Sequence, residues 1–127
     1  MIIYPTKSVK IINKANPSFQ IKSKVCNDFY SSFRGFMFTR AIDDFFGLLF
    51  INKQESRIDT SIHMLFMNFD LTVLWLDRSF KIIDKVLARK WRLAYIPSRP
   101  AQYVLEIHPN RYQDFSIGDC LEIINEP

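Results

Sequence analysis

The stretch SIHMLFMNFDLTVLWLD, residues 61–77, concentrates side chains that could do chemistry. His63, Met64 and Met67 supply one imidazole and two thioethers, which are ligands suited to Cu(I). If residues 61–77 form two strands, His63 and Met67 point to one face and Met64 to the other, because side chains alternate along a strand. Two ligands are too few for a metal site, and methionine in a Phe-rich interior usually fills gaps in a core. We therefore predict that both methionines are core residues and that the chain holds no metal.

The two cysteines bear on the same question. Cys26 and Cys120 lie far apart, each flanked by strand-like residues, and no CxxC or CxxH spacing indicates a structural zinc site. Free cysteine is usually buried, so two buried thiols are expected, with a bridge between them as the alternative. A soft-metal site at residues 61–77 would have to recruit one of these cysteines or Met37 through the fold.

Several carboxyl and imidazole groups could act as general acids or bases. The candidates for catalysis are His63, Asp77, Glu106 and Asp119, with Asp70 and His108 as further titratable side chains. Two carboxyl groups must lie within several ångströms of each other to work as a pair, and nothing in the spacing places two on one wall. Asp77 and Asp119 lie next to predicted turns, where aspartate commonly accepts hydrogen bonds from backbone amides.

Motifs of known enzyme classes are absent from the sequence. It contains no GxSxG nucleophile elbow, no GxxxxGK[ST] phosphate loop, no GxGxxG and no HExxH. These absences favour a non-catalytic protein. A hydrolase-type or metal-dependent enzyme that uses His63, Asp77 and Glu106 stays the alternative.

The basic and aromatic segment ARKWRLAYIPSR, residues 88–99, is a candidate anion-binding surface. Trp91 and Tyr95 offer faces for stacking, and the cations that could contact an acidic partner or a nucleic acid are Arg89, Lys90, Arg92 and Arg99. The alternative is a loop whose aromatic side chains fold back onto the core and leave the charges solvated.

Length and composition limit the class of protein. The 127 residues are 48% hydrophobic and 15% aromatic with a net charge of +4, which predicts one folded domain over residues 1–127 and only a weak preference for anions. The N-terminal MIIYPTKSVK lacks the apolar region of a signal peptide, and no segment is apolar enough to span a membrane. A cytoplasmic protein is expected, or an exported one if a signal peptide has been removed.

Hydrophobic periodicity predicts mainly strands. SVKIINKA, SFQIKSKVCND and AQYVLEIH alternate apolar and polar residues, whereas FFGLLFIN is a continuous apolar run typical of a strand buried on both faces. Two strands are expected within residues 61–77, then a turn, then FKIIDKVLA, with IGDCLEII as the last strand and loops at residues 52–60 and 89–100. Phe29, Phe33, Phe36 and Met37 share one face of a predicted short helix. Such a pattern is typical of an all-β sandwich or barrel.

The order of several blocks resembles the DUF192 family, small prokaryotic domains of unknown function. The blocks are RGFMFTR (34–40), GLLFI (47–51), IHMLFMNFDLTVLWLD (62–77), YVLEI (103–107) and SIGDCLEI (116–123), and the resemblance covers about residues 20–127. It implies a jelly-roll-like β-sandwich or partly open barrel with one short helix. It also implies no cofactor and no established enzymatic activity.

The sequence departs from the family pattern at two places. Thr72 stands where the family has the aspartate of Pro-[Ile/Leu]-Asp, while Asp77 is kept, and residues 108–110 replace a small residue and a glycine. A site at those positions would be altered here. We expect a non-catalytic module that binds a ligand or a protein partner, and the candidate ligand-binding residues are Arg34, His63, Thr72, Asp77 and Glu106.

Overall fold

A computed structural model describes residues 8–26 and 33–126. Seven strands account for about half of this part of the chain, and the prediction of an all-β fold is confirmed. They are β1 (Ser8–Asn13), β2 (Asn16–Cys26), β3 (Phe46–Ser56), β4 (Leu71–Leu76), β5 (Ile82–Ala88), β6 (Ala101–Ile107) and β7 (Leu121–Asn125), and a 3₁₀ helix, Pro109–Asp114, follows β6. No helix in the described ranges is long and apolar enough to cross a membrane.

The strands form one sheet in the order β5-β4-β6-β3-β2-β1-β7. Neighbours are antiparallel except β2 and β3, which run parallel. The sheet curls so far that its two edges approach each other near Lys81 and Cys120, which form a bridge, and the Ile82 amide donates to the Asp119 carbonyl at 2.8 Å. Beyond this corner the edges do not pair, so the sheet is not closed into a barrel.

Each face of the sheet carries its own hydrophobic cluster. One cluster contains Leu105 and Ile107 together with Leu74, Leu121 and Phe115. The opposite cluster contains residues that alternate with these along the strands, together with side chains from the loops that cover that face: Phe36, Phe50, Met64, Met67, Val73, Trp75 and Val104. The second face is therefore a core made of a sheet and three covering segments, residues 33–45, 57–70 and 89–100.

The segment before β4 differs from its prediction. Met64 and Met67 are 0% and 2% exposed, as expected for core residues. However, residues 61–70 form a loop and not a strand, because their backbone pairs with another loop: the Met64 amide donates to the Arg92 carbonyl at 2.9 Å, and Ile62 bridges to Tyr95. The apolar spacing that suggested a strand reflects a covering loop whose side chains point down onto the sheet.

Other boundaries also moved. β3 continues to Ser56, so the predicted loop at residues 52–60 is partly strand, and β2 begins at Asn16, before the predicted SFQIKSKVCND. Of the predicted short helix, Phe29 lies outside the described ranges, whereas Phe36 and Met37 lie in turns and not in a helix. Phe33 and Arg34 are helical, and Gly35, with a φ of 48°, ends the turn.

Gly47 marks a close approach between β3 and β6. A Cβ atom there would lie 2.7 Å from Cγ2 of Ile107 and 2.9 Å from the backbone oxygen of Glu106. We expect Gly47→Ala to lower the free energy of unfolding by about 1–3 kcal/mol, because overpacked cores must shift to relieve contacts. Urea denaturation measures the loss. Since Ile107→Ala removes the nearer atom, the double variant should lose less than the sum of the single variants, and strict additivity would contradict this explanation.

Candidate ligand-binding cavity

A cavity of about 710 Å³ opens on the second face of the sheet. Its floor is formed by strands β3 and β6, and its walls by residues 33–37 and 59–67. Apolar side chains from all four of these segments line the cavity, together with Glu106, Arg34 and His63. The other polar and charged lining residues come from the end of β3 and the following loop: Asn52, Lys53, Gln54, Asp59, Thr60 and Ser61.

Glu106 is the ionisable side chain that β6 contributes to this cavity. It lies on β6 opposite Val73 of β4, and it points away from Leu105 and Ile107, as strand alternation predicts. The residue is only 6% exposed, and within the described part of the chain no group donates a hydrogen bond to its carboxyl group. Burial raises the pKa of Glu106 to about 8, so the group is mostly protonated at neutral pH.

The chain approaches the Glu106 carboxyl group closely at Gly35. A Cβ atom on Gly35 would lie 3.2 Å from Oε1 of Glu106 and 3.6 Å from the Phe50 ring. Gly35 also has a φ of 48°, a left-handed conformation that glycine adopts without steric cost. This glycine thus lets the 33–37 wall cross directly over the buried carboxyl group.

His63 joins the two walls of the cavity. Its Nδ1 accepts a hydrogen bond from the Leu65 amide at 3.1 Å, and its Nε2 lies 3.1 Å from the Phe33 carbonyl oxygen. An amide can only donate and a carbonyl can only accept, so Nε2 carries the proton and the ring is neutral. The Phe33 ring lies 4.9 Å from the imidazole, centroid to centroid. His63 therefore holds the 33–37 wall against the 59–67 wall.

Of the residues expected to bind a ligand, Arg34, His63 and Glu106 meet at the cavity, whereas Thr72 and Asp77 do not line it. Thr72 is buried on the other face of the sheet, where its hydroxyl donates to the Pro109 carbonyl at 3.3 Å. Asp77 lies in the β4–β5 turn and accepts from the amides of residues 79 and 81, at 2.8 and 3.1 Å.

Asp119, the remaining candidate for catalysis, also lies away from the cavity. Its Oδ2 accepts from the Asn13 amide group at 3.0 Å and from the Ser116 amide at 2.9 Å. These bonds fasten the turn before β7 to the end of β1. The acid–base candidates are thus distributed over several parts of the fold, and only His63 and Glu106 share the cavity.

The basic segment lies over the same face, outside the cavity lining. Arg89 contacts Asp70 at 3.4 Å, and the Lys90 amide donates to the same carboxylate at 2.9 Å. Arg92 and Arg99 are exposed. Tyr95 packs against the core and accepts the Arg89 amide through its hydroxyl at 2.8 Å.

Trp91 does not fold back like Tyr95 but belongs to an exposed aromatic cluster that the sequence did not indicate. The Phe38 and Phe66 rings stack at 5.1 Å, and the Trp91 ring meets Phe66 edge-on at 5.2 Å. The three side chains are 63%, 44% and 57% exposed in that order. All three have left-handed backbones, with φ between 61° and 70°, a conformation that is uncommon for bulky residues.

The two cysteines do not form a disulfide bond. Cys26 is buried, while Cys120 is an exposed free thiol, so the expectation of two buried thiols is wrong for Cys120 and the two residues are not bridged. Cys120 is exposed because it alternates with the buried Leu121 and Ile123 and so lies on the same outward side as Glu122. Among residues 8–26 and 33–126, no group of three or more His, Cys, Asp or Glu side chains is arranged to hold a metal ion.

Comparison with known proteins shows which family the chain belongs to. The model of the DUF192 family, described as an uncharacterised ACR, matches residues 10–123. The chain belongs to the DUF192 family. A UPF0127 protein of Thermococcus kodakarensis is 41% identical over 85 residues, which is 67% of the chain and 52% of that relative. The match therefore spans about half the length of that relative. A UPF0127 protein of Pyrococcus furiosus is 32% identical over 105 residues, or 81% of the chain and 87% of the relative.

Solved structures share the fold of this DUF192 protein. A crystal structure from Sinorhizobium meliloti 1021, of a protein assigned provisionally as a transcription regulator, has a TM-score of 0.81 at 20% identity and covers 97% of both chains. A protein of unknown function from Novosphingobium aromaticivorans has a TM-score of 0.75 at 15% identity and covers 91% of this chain and 83% of its own. At these identities the likeness concerns the fold alone.

Proposed function

We propose that this DUF192 protein is a non-catalytic module that binds a small organic ligand in the cavity between β3, β6 and the two loop walls. The observation that carries the proposal is the cavity itself, about 710 Å³ in volume, in which apolar side chains surround one buried carboxyl group. Binding sites for small molecules are typically about 300–1,000 Å³, mostly apolar, with a few convergent polar groups that fix orientation.

Geometry favours binding over catalysis. A hydrolase-type mechanism that uses both a general acid and a general base needs two titratable groups within reach of one substrate. Asp77 accepts hydrogen bonds within its own turn, and both ring nitrogens of His63 are occupied, Nδ1 by the Leu65 amide of its own wall and Nε2 by the Phe33 carbonyl of the other wall. Glu106 is left as a lone carboxyl group, which suits recognition of a ligand better than a two-residue mechanism.

Blocking the cavity tests the proposal. Ser61 lines the cavity, so Ser61→Trp places a large ring in it, whereas Ser18 is exposed on β2 and Ser18→Trp is the matched control. The ligands to compare are small molecules retained in native mass spectrometry and fragments that raise the melting temperature of the wild type. We expect them to bind Ser18→Trp as strongly as they bind the wild type. Ser61→Trp should lose most of this binding.

Two results would contradict the proposal. In one, a chemically varied fragment collection and the freshly purified protein both yield no bound small molecule. In the other, every bound molecule is retained equally by Ser61→Trp and Ser18→Trp. Both variants should first give the same far-ultraviolet circular dichroism spectrum as the wild type, which confirms that they fold.

A further inference from the structure

We propose, resting on the small-molecule binding proposed above, that the cavity accepts an organic cation whose charged nitrogen contacts the carboxylate of Glu106 and whose apolar part lies against the surrounding aromatic rings. The first observation is the isolation of Glu106. It is 6% exposed, it lines the cavity, and no described residue donates a hydrogen bond to it. A buried carboxylate without a partner is costly, and a cation from a ligand would supply the missing partner.

The second observation is the wall around this carboxyl group. Phe33, Phe36 and Phe50 line the cavity, and the Phe50 ring lies beside the point where Gly35 contacts Glu106. Aromatic faces attract cations, most strongly where water is excluded. An ammonium or quaternary nitrogen in this position would therefore contact both a carboxylate and π-faces.

Other charged side chains line the cavity and affect the choice of ligand. Arg34, Lys53 and Asp59 are exposed, so water and salt screen their charges, and His63 is neutral in its hydrogen-bonded form. The two exposed cations disfavour a ligand that is positive along its whole length. They fit a molecule with its positive charge at the inner end only.

Because binding of a cation requires Glu106 to lose its proton, the affinity for the cation should change with pH in a defined direction. Without ligand, Glu106 keeps its proton up to about pH 8, so a cation must displace that proton to bind. Affinity for a cation should therefore rise by about tenfold per pH unit below pH 8 and level off above it. A neutral ligand that bonds the protonated carboxyl group should show the opposite trend, losing affinity as pH rises through 8.

Benzylamine and benzyl alcohol are suitable probes, because they differ only in the group that would meet Glu106. A primary amine keeps its charge from about pH 6 to about pH 8, since its pKa lies well above that range. Isothermal titration calorimetry in buffers of different ionisation enthalpy should report stronger binding of benzylamine at higher pH, with release of about one proton near pH 7. Benzyl alcohol should neither bind more strongly at higher pH nor release a proton when it binds.

Three variants assign the effect to Glu106. Glu106→Gln should remove both the preference for the amine and its pH dependence, whereas Glu122→Gln, the same change at an exposed position on β7, should leave them unchanged. His63→Asn can still accept the Leu65 amide but loses the imidazole contact with the Phe33 carbonyl, so it should weaken binding at every pH and retain the pH dependence.

The outcomes separate this inference from the proposed function. If fragments bind in a manner blocked by Ser61→Trp but benzylamine gains no affinity with pH, or Glu106→Gln binds it as well as the wild type, the cation is wrong and the binding module stands. If no fragment of any charge binds in the cavity, both are wrong.

Discussion

Glu106→Gln is expected to stabilise the protein above pH 8 and to remove most of the pH dependence of its stability between about pH 5 and 8. The pKa of Glu106 is raised from 4.5 to about 8 in the folded state by burial. Below pH 4.5 the group is protonated in both folded and unfolded chains and costs nothing. Between these values the unfolded chain loses the proton and the folded chain keeps it, so stability falls as pH rises. Above pH 8 the full cost remains, about 5 kcal/mol.

Urea denaturation of the wild type and Glu106→Gln at several pH values measures this effect. Glutamine is a similar-sized polar group that does not titrate, so any constant cost of burying its amide cancels from the pH dependence. Glu122→Gln serves as the control, since its carboxylate is exposed on β7. Parallel stability curves for the wild type and Glu106→Gln would mean that the carboxyl group is not desolvated in the folded protein.

Trp75→Ala is expected to lower the free energy of unfolding by about 3–5 kcal/mol, the usual cost of emptying a buried aromatic site. Trp75 is 1% exposed on β4, and its indole Nε1 donates to the Thr60 carbonyl at 2.7 Å. This bond connects the sheet to the loop that forms one wall of the cavity. Trp75→Phe keeps an aromatic ring but leaves the buried carbonyl without its donor, which should cost about 1–3 kcal/mol.

The second tryptophan provides a control. Trp91 is 57% exposed, so Trp91→Phe should change stability far less than Trp75→Phe, and the two single-tryptophan proteins separate the fluorescence of a buried ring from that of an exposed one. Hydrogen exchange should also accelerate around residues 57–63 in Trp75→Phe. Equal losses in both variants, or unchanged exchange in that loop, would contradict a role for the indole bond in holding the cavity wall.

Strands of regular alternation could be predicted from the sequence. β1, β6 and β7 were predicted because their sequences alternate apolar and polar residues or form apolar runs between turn residues. The turn at Asp77 was also predicted, and its carboxylate accepts a hydrogen bond from the amide two residues further on. The loop at residues 61–70 could not be predicted, because a loop that is buried against a sheet selects apolar residues just as a buried strand does. Its hydrogen bonds go to residues 91–95, and sequence periodicity contains no information about that pairing.

Only part of the candidate site could be predicted from the sequence. Alternation placed Glu106 on the face opposite Leu105 and Ile107. What covers that face depends on Gly35 and His63, which are distant in sequence and come together only through the tertiary structure. The polar end of β3 gave no signal either, since a strand that continues into a polar segment resembles an ordinary loop.

Pairing between β1 and β7 has a consequence for how the protein folds. Val9 pairs with Asn125 and Asn13 with Leu121, so this contact joins positions more than 100 residues apart. Leu121 and Ile123 also complete the hydrophobic cluster on the first face of the sheet. During synthesis the hairpin of β1 and β2 emerges before β7, and the outer edge of β1 stays unpaired until β7 has left the ribosome. Folding should therefore be slow for a chain of this size, because loop closure must precede the contacts that reward it. In the interval, the unpaired edge of β1 is the surface most exposed to chaperones and to aggregation.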